Sequence, residues 1–243
     1  MAYTNKAKTL YHDCDVNNRL KISATMRYMQ QASGDHMESL GLPAQKLLRE
    51  NMVFMLSATC LKVNMMPVVS QEILVRTAPT AVKGARFVRE FAIDSTAGER
   101  LISAVTLWLL IDPESRKILR PASFPYDLPI EPSFAGDINN IATPNPPVTE
   151  ESPKMSIDVR YSHLDCNNHV SNSNYADFIC DMLPYTQLVE RGVDTFSIHF
   201  QNEAKLGQTL DIERAQISDA EHYLRGKSQE NACFEAFVKF NAI

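Results

Sequence analysis

Asp165, Asn167 and His169 stand at alternate positions in the second half of the chain, and Glu203 follows on a later segment. Attack of water on a carbonyl needs a positioned water, a base for its proton and donors for the oxyanion. Histidine is the side chain whose proton moves most readily near neutral pH. A carboxylate such as Glu203 can bind and orient water. In an extended segment, alternation would turn Asp165, Asn167 and His169 to one side. Phe200 and Leu206 flank Glu203 and predict a partly apolar setting for it. A helix opening near Ser171 would offer its free N–H groups to an oxyanion. Each residue alone has a plainer use: Asp-x-Asn suits turns and caps, and a lone histidine is more often packed or simply exposed. The four together are what points to chemistry.

The elements that must hold these residues occur twice. Tyr11-His-Asp-Cys-Asp15-Val-Asn17-Asn18-Arg19-Leu20 lies over Tyr161-Ser-His-Leu-Asp165-Cys-Asn167-Asn168-His169-Val170, at an offset of 150 positions. Leu61-Lys-Val63 before Pro67 and Ser70 resembles Ile198-His-Phe200 before Ala204 and Gly207, at an offset of 137. Two matches in the same order indicate an internal duplication. The copies differ where chemistry would occur. Arg19 stands at the place of His169, and Met66 at that of Glu203. Arginine does not give up its proton and methionine cannot hold one, so the first copy should be chemically silent.

Each half reads as one strand, one helix and then a series of strands. In the first, a strand through Thr9–Asp13 leads to a helix with Ile22, Met26, Met29, Ala32, His36 and Leu40 on one face. Ser23 is its expected cap, with Gly41 and Pro43 as its stop. Strands are predicted near Val53–Val63, Ile73–Ala81, Arg86–Asp94 and Leu101–Ile111. In the second half a helix from about Ser171 carries Tyr175, Phe178, Ile179 and Met182 until Pro184. Strands follow near Thr195–Gln201, Gln208–Ile217 and Ala232–Phe240, the last alternating apolar with mostly polar residues. This order is that of a hotdog, a curved antiparallel sheet wrapped around a long helix. The expected architecture is α+β: two tandem hotdog repeats joined into one pseudo-dimeric unit, since a single repeat leaves open edges. The boundaries expected are 1–120 and 154–243. Between them, residues 121–153 hold eight of the 13 prolines and read as a linker crossing the surface.

Val159-Arg-Tyr-Ser-His-Leu-Asp165-Cys-Asn167-Asn168-His169-Val170-Ser-Asn172 resembles the DxNxHVNN signature of plant and bacterial acyl-acyl carrier protein thioesterases. Phe200-Gln-Asn-Glu203-Ala204 resembles the later segment that carries the family's catalytic glutamate. The resemblance spans essentially the whole chain. It implies hydrolysis of fatty acyl thioesters on acyl carrier protein, with Asp165, Asn167, His169 and Glu203 catalytic and no cofactor or metal. It also implies a non-catalytic first repeat that holds the acyl chain. Ser171 departs from the usual Asn. Ala204 replaces the cysteine that plant members carry there, so a thiolate at that place is not needed. Cys166 lies within the signature but should face away from Asp165 and Asn167.

Eight of the 10 methionines fall in the first 66 residues. Unbranched thioethers adapt to irregular cavities and flexible ligands, which makes Met26, Met29, Met52 and Met55 the candidate acyl-binding residues. Ordinary core packing is the alternative for any one of them. The partner implied is acyl carrier protein, bearing its acyl chain on a phosphopantetheine arm. Because that partner is acidic, Lys83, Arg86 and Arg89, and then Arg116, Lys117 and Arg120, are candidate docking groups.

Composition narrows the rest. The net charge of −5 argues against general nucleic-acid binding. The start of the chain lacks the apolar core of a signal peptide, and no apolar run approaches a membrane span. Five cysteines without a CxxC pair suit a reducing compartment, read as cytoplasmic. The reading leaves room for a homodimer. GxGxxG, P-loop, GxSxG and HExxH motifs are lacking. Three rivals are an acyl-CoA thioesterase, a hotdog hydratase and a non-catalytic acyl-binding module. A hydratase resembles DxNPxH, with Asp and His five apart; here they are four apart and no proline intervenes.

Overall fold

The computed structural model describes residues 2–136, Pro146, Thr149 and 152–242, and the rest of the proline-rich segment lies outside them. Two compact units are present. The first is built from residues 2–20 and 25–136, and the second from residues 21–24 and 152–242.

In the first unit, strand β1 (Tyr3–Lys8), helix α1 (Ile22–Ser39) and helix α2 (Ala44–Arg49) precede strands β2 (Val53–Val63), β3 (Glu72–Lys83), β4 (Arg86–Ser95) and β5 (Arg100–Ile111). These strands lie in the order β1-β3-β4-β5-β2, every pair antiparallel. The second unit has β6 (Lys154–Asp158), α3 (Asn172–Asp181), β7 (Val193–Phe200), β8 (Thr209–Ser218), β9 (Glu221–Ser228) and β10 (Asn231–Phe240). Its order, β6-β8-β9-β10-β7, is the same path repeated. Each unit is a hotdog.

The duplication is written in the backbone hydrogen bonds. Leu20 N–H donates to Pro67 O at 2.8 Å, and Val170 N–H to Ala204 O at 2.9 Å. Thr9 N–H donates to Gln71 O, as Val159 N–H does to Gln208 O. Val68 and Lys205 each donate their N–H to a glutamine Oε1 three residues on. Those pairs reproduce the offsets of 150 and 137 bond for bond.

Three expectations change. The first strand is Tyr3–Lys8, and Tyr11–Asp13 is a single 3-10 turn closed by Cys14 N–H on Tyr11 O. The strand reads Tyr-Thr-Asn-Lys-Ala-Lys and so carries no apolar run or alternation to mark it. Ser23 is not a cap: α1 begins at Ile22, and the Ser23 hydroxyl is buried with no hydrogen-bond partner among the described residues. Residues 121–136 are no bare spacer. Phe124, Tyr126 and Leu128 pack on a cluster of Leu42, Leu47, Met52, Phe87 and Leu110.

Arg89 also departs from its expected place on the surface. It is 6% exposed and reaches into the unit, 3.1 Å from His36 Nδ1 and 3.3 Å from Thr77 Oγ1. Alternation along β4 turns Arg89 to the same side as Phe87 and Phe91, which places it against α1 instead of in solvent. Burial, reinforced by the Arg89 charge, lowers the pKa of His36 to about 4. His222 in the second unit is likewise held down to about 4, first by burial and then by Arg214 and Arg191.

Both histidines therefore stay neutral in the fold but bind protons once unfolded, near the ordinary value of ~6.5. A depressed folded pKa gives stability that is complete above pH ~6.5 and lost as pH falls from there toward 4. The urea midpoint is expected to drop across that window. A His36→Gln/His222→Gln variant should show a shallower drop, which a denaturation series in pH steps would read directly.

Candidate active site

The segment from Asp165 to His169 is a closed turn, not the extended run that alternation suggested. Asp165 N–H donates to His169 O at 3.0 Å, and Asn168 N–H to Asp165 O at 3.1 Å. Asp165 Oδ1 accepts the N–H of Asn167 at 2.8 Å, and Leu164 and Val170 bridge the base of the loop. Asn168 sits in the left-handed region at φ 63°, which asparagine tolerates better than most residues. Closing the loop brings positions 165 and 169 together.

His169 lies between two carboxylates. Its Nδ1 is 3.7 Å from Asp165 Oδ1 and 3.2 Å from Val170 O, and its Nε2 is 3.9 Å from Glu203 Oε1. All three side chains are about one-fifth exposed, screened yet reachable by solvent. The hydrogen-bond pattern assigns a proton to Nδ1, donated to Val170 O, which leaves the Nε2 lone pair facing Glu203. The gap of 3.9 Å is beyond a direct hydrogen bond. Asn167 is exposed, and its side-chain amide lies 3.5 Å from Asp165 Oδ2. The structure does not bring it to His169. Cys166 is exposed as well.

Glu203 stands in the loop after β7 and is not on a strand. Its neighbours are each tied down. Gln201 N–H and the Asn202 amide donate to Cys233 O and Ala232 O, and Lys205 N–H donates to Gln208 Oε1. Ala204 O accepts the N–H of Val170, and Ala204 N–H donates to the Tyr175 hydroxyl at 3.1 Å. Leu206 is 57% exposed and forms no apolar wall beside the carboxylate, contrary to the expectation from sequence. Helix α3 opens three residues past His169; in its first turn the Asn174 N–H donates to Ser171 O at 2.9 Å, and the Asn172 and Ser173 N–H groups stand ahead of it at the helix start.

The first unit differs at the predicted places. Arg19 folds back on its own loop, with Nε and Nη2 both 3.3 Å from Asp15 Oδ2. The carboxylate that faces a histidine in the second unit is neutralised here by a permanent cation. Because the pair is partly exposed, Arg19→Ala is expected to change stability by under about 1 kcal/mol. Turnover should stay within about twofold. A melting curve and a rate measured on one preparation would check both.

Residues 1–123 match the model of the acyl-ACP thioesterase N-terminal domain, and residues 147–239 match that of the C-terminal domain, where ACP is acyl carrier protein. The chain belongs to the acyl-ACP thioesterase family. Among curated relatives, it is 21% identical to a chloroplastic acyl-ACP hydrolase of Cuphea viscosissima over 215 residues, which is 82% of this chain and 51% of that protein. It is 21% identical to the chloroplastic dodecanoyl-ACP hydrolase of Cinnamomum camphora over 207 residues, 78% of this chain and 53% of that one. The chain thus spans about half the length of the curated relatives it matches.

Solved thioesterase structures share its fold. An acyl-ACP thioesterase from Bacteroides thetaiotaomicron superposes with a TM-score of 0.88 at 21% identity, covering 99% of this chain and 98% of that one. The 12:0-ACP thioesterase from Umbellularia californica gives 0.86 at 15% identity, covering 99% and 97%. At such low identity these likenesses speak for the double-hotdog fold alone.

In this acyl-ACP thioesterase family member the four candidate methionines do not share one environment. Met26 and Met29 are buried on α1, and Met52 is buried in the cluster with Phe87 and Leu110. Met55 is half-buried on β2, paired with Leu109, and faces away from its neighbour Phe54, which joins the Met52 cluster. Tyr175, an apolar-face residue by its helical spacing, also acts through its hydroxyl. Its hydroxyl bond to the loop of Glu203 was not foreseen. The signal was there: tyrosine is at 175, whereas the corresponding place in the first helix holds Thr25.

Proposed function

We propose that the chain hydrolyses the thioester linking a fatty acyl group to acyl carrier protein, releasing free fatty acid, with all its chemistry in the second unit. One observation carries this reading: His169 sits between Asp165 and Glu203 there, and Arg19 and Met66 replace the base and the carboxylate in the duplicated unit.

In this scheme Glu203 orients a water beside Nε2 of His169, and the pair takes its proton as the oxygen attacks the acyl carbon. Asp165 and the Val170 carbonyl hold the ring from the Nδ1 side. The developing oxyanion is met at the opening of α3, by the N–H groups of Asn172 and Ser173. Collapse expels the phosphopantetheine thiolate, which takes the proton. Asn167, exposed in the substrate-free site, has its role at the bound thioester. Cys166 plays none.

The acidic carrier fits a basic patch. Lys83, Arg86, Arg116, Lys117 and Arg120 are all exposed, and they gather at one end of the first unit's sheet, where Arg86 pairs with Leu109 and Ile111 bridges Ile118. Arg89 drops out of that patch. Cytoplasmic residence belongs to the same reading and is supported by five free cysteines, although the curated relatives cited are chloroplastic. No helix among the described residues is long and apolar enough to cross a membrane.

The test is a screen of acyl-ACP and acyl-CoA thioesters from short to long chains. The proposal expects saturable release with higher kcat/KM on the protein carrier at every accepted length. Equal or better rates on acyl-CoA would reject the carrier assignment.

Chain length, in this reading, is set in the interior of the first unit by Met26, Met29 and Met52. Met55 is the weakest of the four candidates because it faces away from the Met52 cluster. Each methylene denied burial forfeits ~0.8 kcal/mol. Met29→Trp or Met52→Trp should move the product profile toward shorter chains by two or more carbons and leave the best rate within about tenfold. An unmoved profile in both would place the chain elsewhere.

A further inference from the structure

The hydrogen bond between Ala204 N–H and the Tyr175 hydroxyl joins the helix of the second unit to the loop that carries Glu203. Tyr175 is 2% exposed and Ala204 is fully buried, so neither end has water as an alternative partner. The ring is seated by aromatic neighbours on three elements. Phe234 on β10 lies 5.5 Å away centroid to centroid, Phe200 on β7 5.9 Å, and Phe178 on the same helix 6.4 Å, all edge-on. Behind Phe234, its strand partner on β9 is Gly226, where an added Cβ would come within 2.1 Å of the Phe234 ring. The glycine makes the space that lets Phe234 press on Tyr175. Burial, with contributions from nearby Glu203 and Asp165, raises the Tyr175 pKa, so the hydroxyl remains protonated.

The duplication is a control that shows what this bond is for. In the first unit, Pro67 occupies the position of Ala204 and accepts the equivalent backbone bond from Leu20, but proline has no N–H to donate. Thr25 occupies the position of Tyr175, too short to reach as a phenol does. Both ends of the bond are therefore changed in the copy that has lost its histidine and glutamate, while the surrounding backbone bonds persist. A bond needed only for folding the hotdog would be retained in both.

We infer that Tyr175 is a positioning residue for the hydrolysis: its hydroxyl, anchoring Ala204 N–H, fixes the adjacent Glu203 carboxylate at its distance from His169. The inference rests on the proposed role of Glu203 and His169. Tyr175 touches no reacting atom. Its effect runs through the loop, and misplacement of a catalytic group by about 1 Å is enough to lower a rate by as much as a hundredfold.

The test is kinetic and compares Tyr175→Phe with Val238→Ala, a buried deletion on β10 that serves as a stability control. Tyr175→Phe should lower kcat by about tenfold or more with KM within about twofold, well below its melting temperature. Val238→Ala should lower the melting temperature and leave kcat near wild type. An unchanged kcat in Tyr175→Phe, or an equal loss in Val238→Ala, would overturn the assignment. Ala204→Pro, which copies the silent unit, removes the other end of the same bond. The double variant should lose no more than the worse single variant, and losses that multiply would likewise count against the coupling. Glu203→Gln run in parallel separates the two layers. If it keeps near-native turnover, the proposed function fails. If it collapses and Tyr175→Phe does not, only the positioning role falls.

Discussion

Glu203→Gln and His169→Ala are each expected to lower turnover roughly a hundredfold or more, the scale of losing a general base or its partner. The fold should survive both changes, because the loop of Glu203 is fastened on both sides of that residue. Its neighbours at 201, 202, 204 and 205 hold the chain in place. His169→Ala leaves the turn closed, since the bonds between Asp165 and the backbones of Asn167, Asn168 and His169 do not use the imidazole. The two losses should not multiply, because the proposed scheme has both groups handle the same water. Far-UV circular dichroism and steady-state rates on a saturating acyl-ACP substrate suffice to check this. A Glu203→Gln protein with near-native turnover would remove Glu203 from the chemistry.

The largest effect on stability is expected from Glu90→Ala. Glu90 on β4 is 1% exposed, and its carboxylate accepts bonds from Phe134 N–H at 2.6 Å, Ala135 N–H at 2.7 Å, Ser133 Oγ at 2.8 Å and Thr80 Oγ1 at 3.2 Å. Arg100 donates to Phe134 O, Arg76 stacks on the Phe134 ring, and Glu131 N–H donates to Pro79 O. Together these bonds fasten residues 131–135 to the first unit. Deleting the carboxylate strands several donors that were desolvated around it. The expected loss is about 3–5 kcal/mol in the unfolding of that unit. Glu90→Gln keeps an acceptor oxygen for the Phe134 and Ala135 N–H groups and turns an amide NH2 to the Ser133 and Thr80 hydroxyls, which can accept from it at the loss of the charge, so its loss should be intermediate. Limited proteolysis should open the chain within 121–136 in Glu90→Ala before the second unit is cut. A loss below about 1 kcal/mol would mean that the segment is held without Glu90.

The contrast between Glu90 and Arg89 shows what sequence can and cannot carry. Helix α1 was legible because Met26, Met29, Ala32 and His36 recur at helical spacing, and β10 because its apolar residues alternate. The outer strands β1 and β6 were not, since their inner sides hold half-buried residues such as Ala7 and Ile157 amid charged and polar neighbours. Arg89 reads as a surface cation in any window. Only the β4 register turns it inward onto His36. In the candidate site, the structure brings together Asp165, His169 and Glu203 of the four residues expected, and their geometry was not legible. The duplicated signature singled out His169 and Glu203 by showing Arg19 and Met66 in their places. The closed turn and the Tyr175 anchor depend on Val170 meeting Ala204, a contact between segments 34 positions apart that no local pattern encodes.

The most direct test of the account is simultaneous measurement of free fatty acid and free carrier thiol released from a purified acyl-ACP by the wild-type protein and by His169→Ala. The account predicts that the two products appear in equal amounts, in many-fold excess over protein, and saturate with substrate. His169→Ala should reduce both by roughly a hundredfold. Binding of the acyl-ACP without release, or release undiminished in His169→Ala, would contradict it.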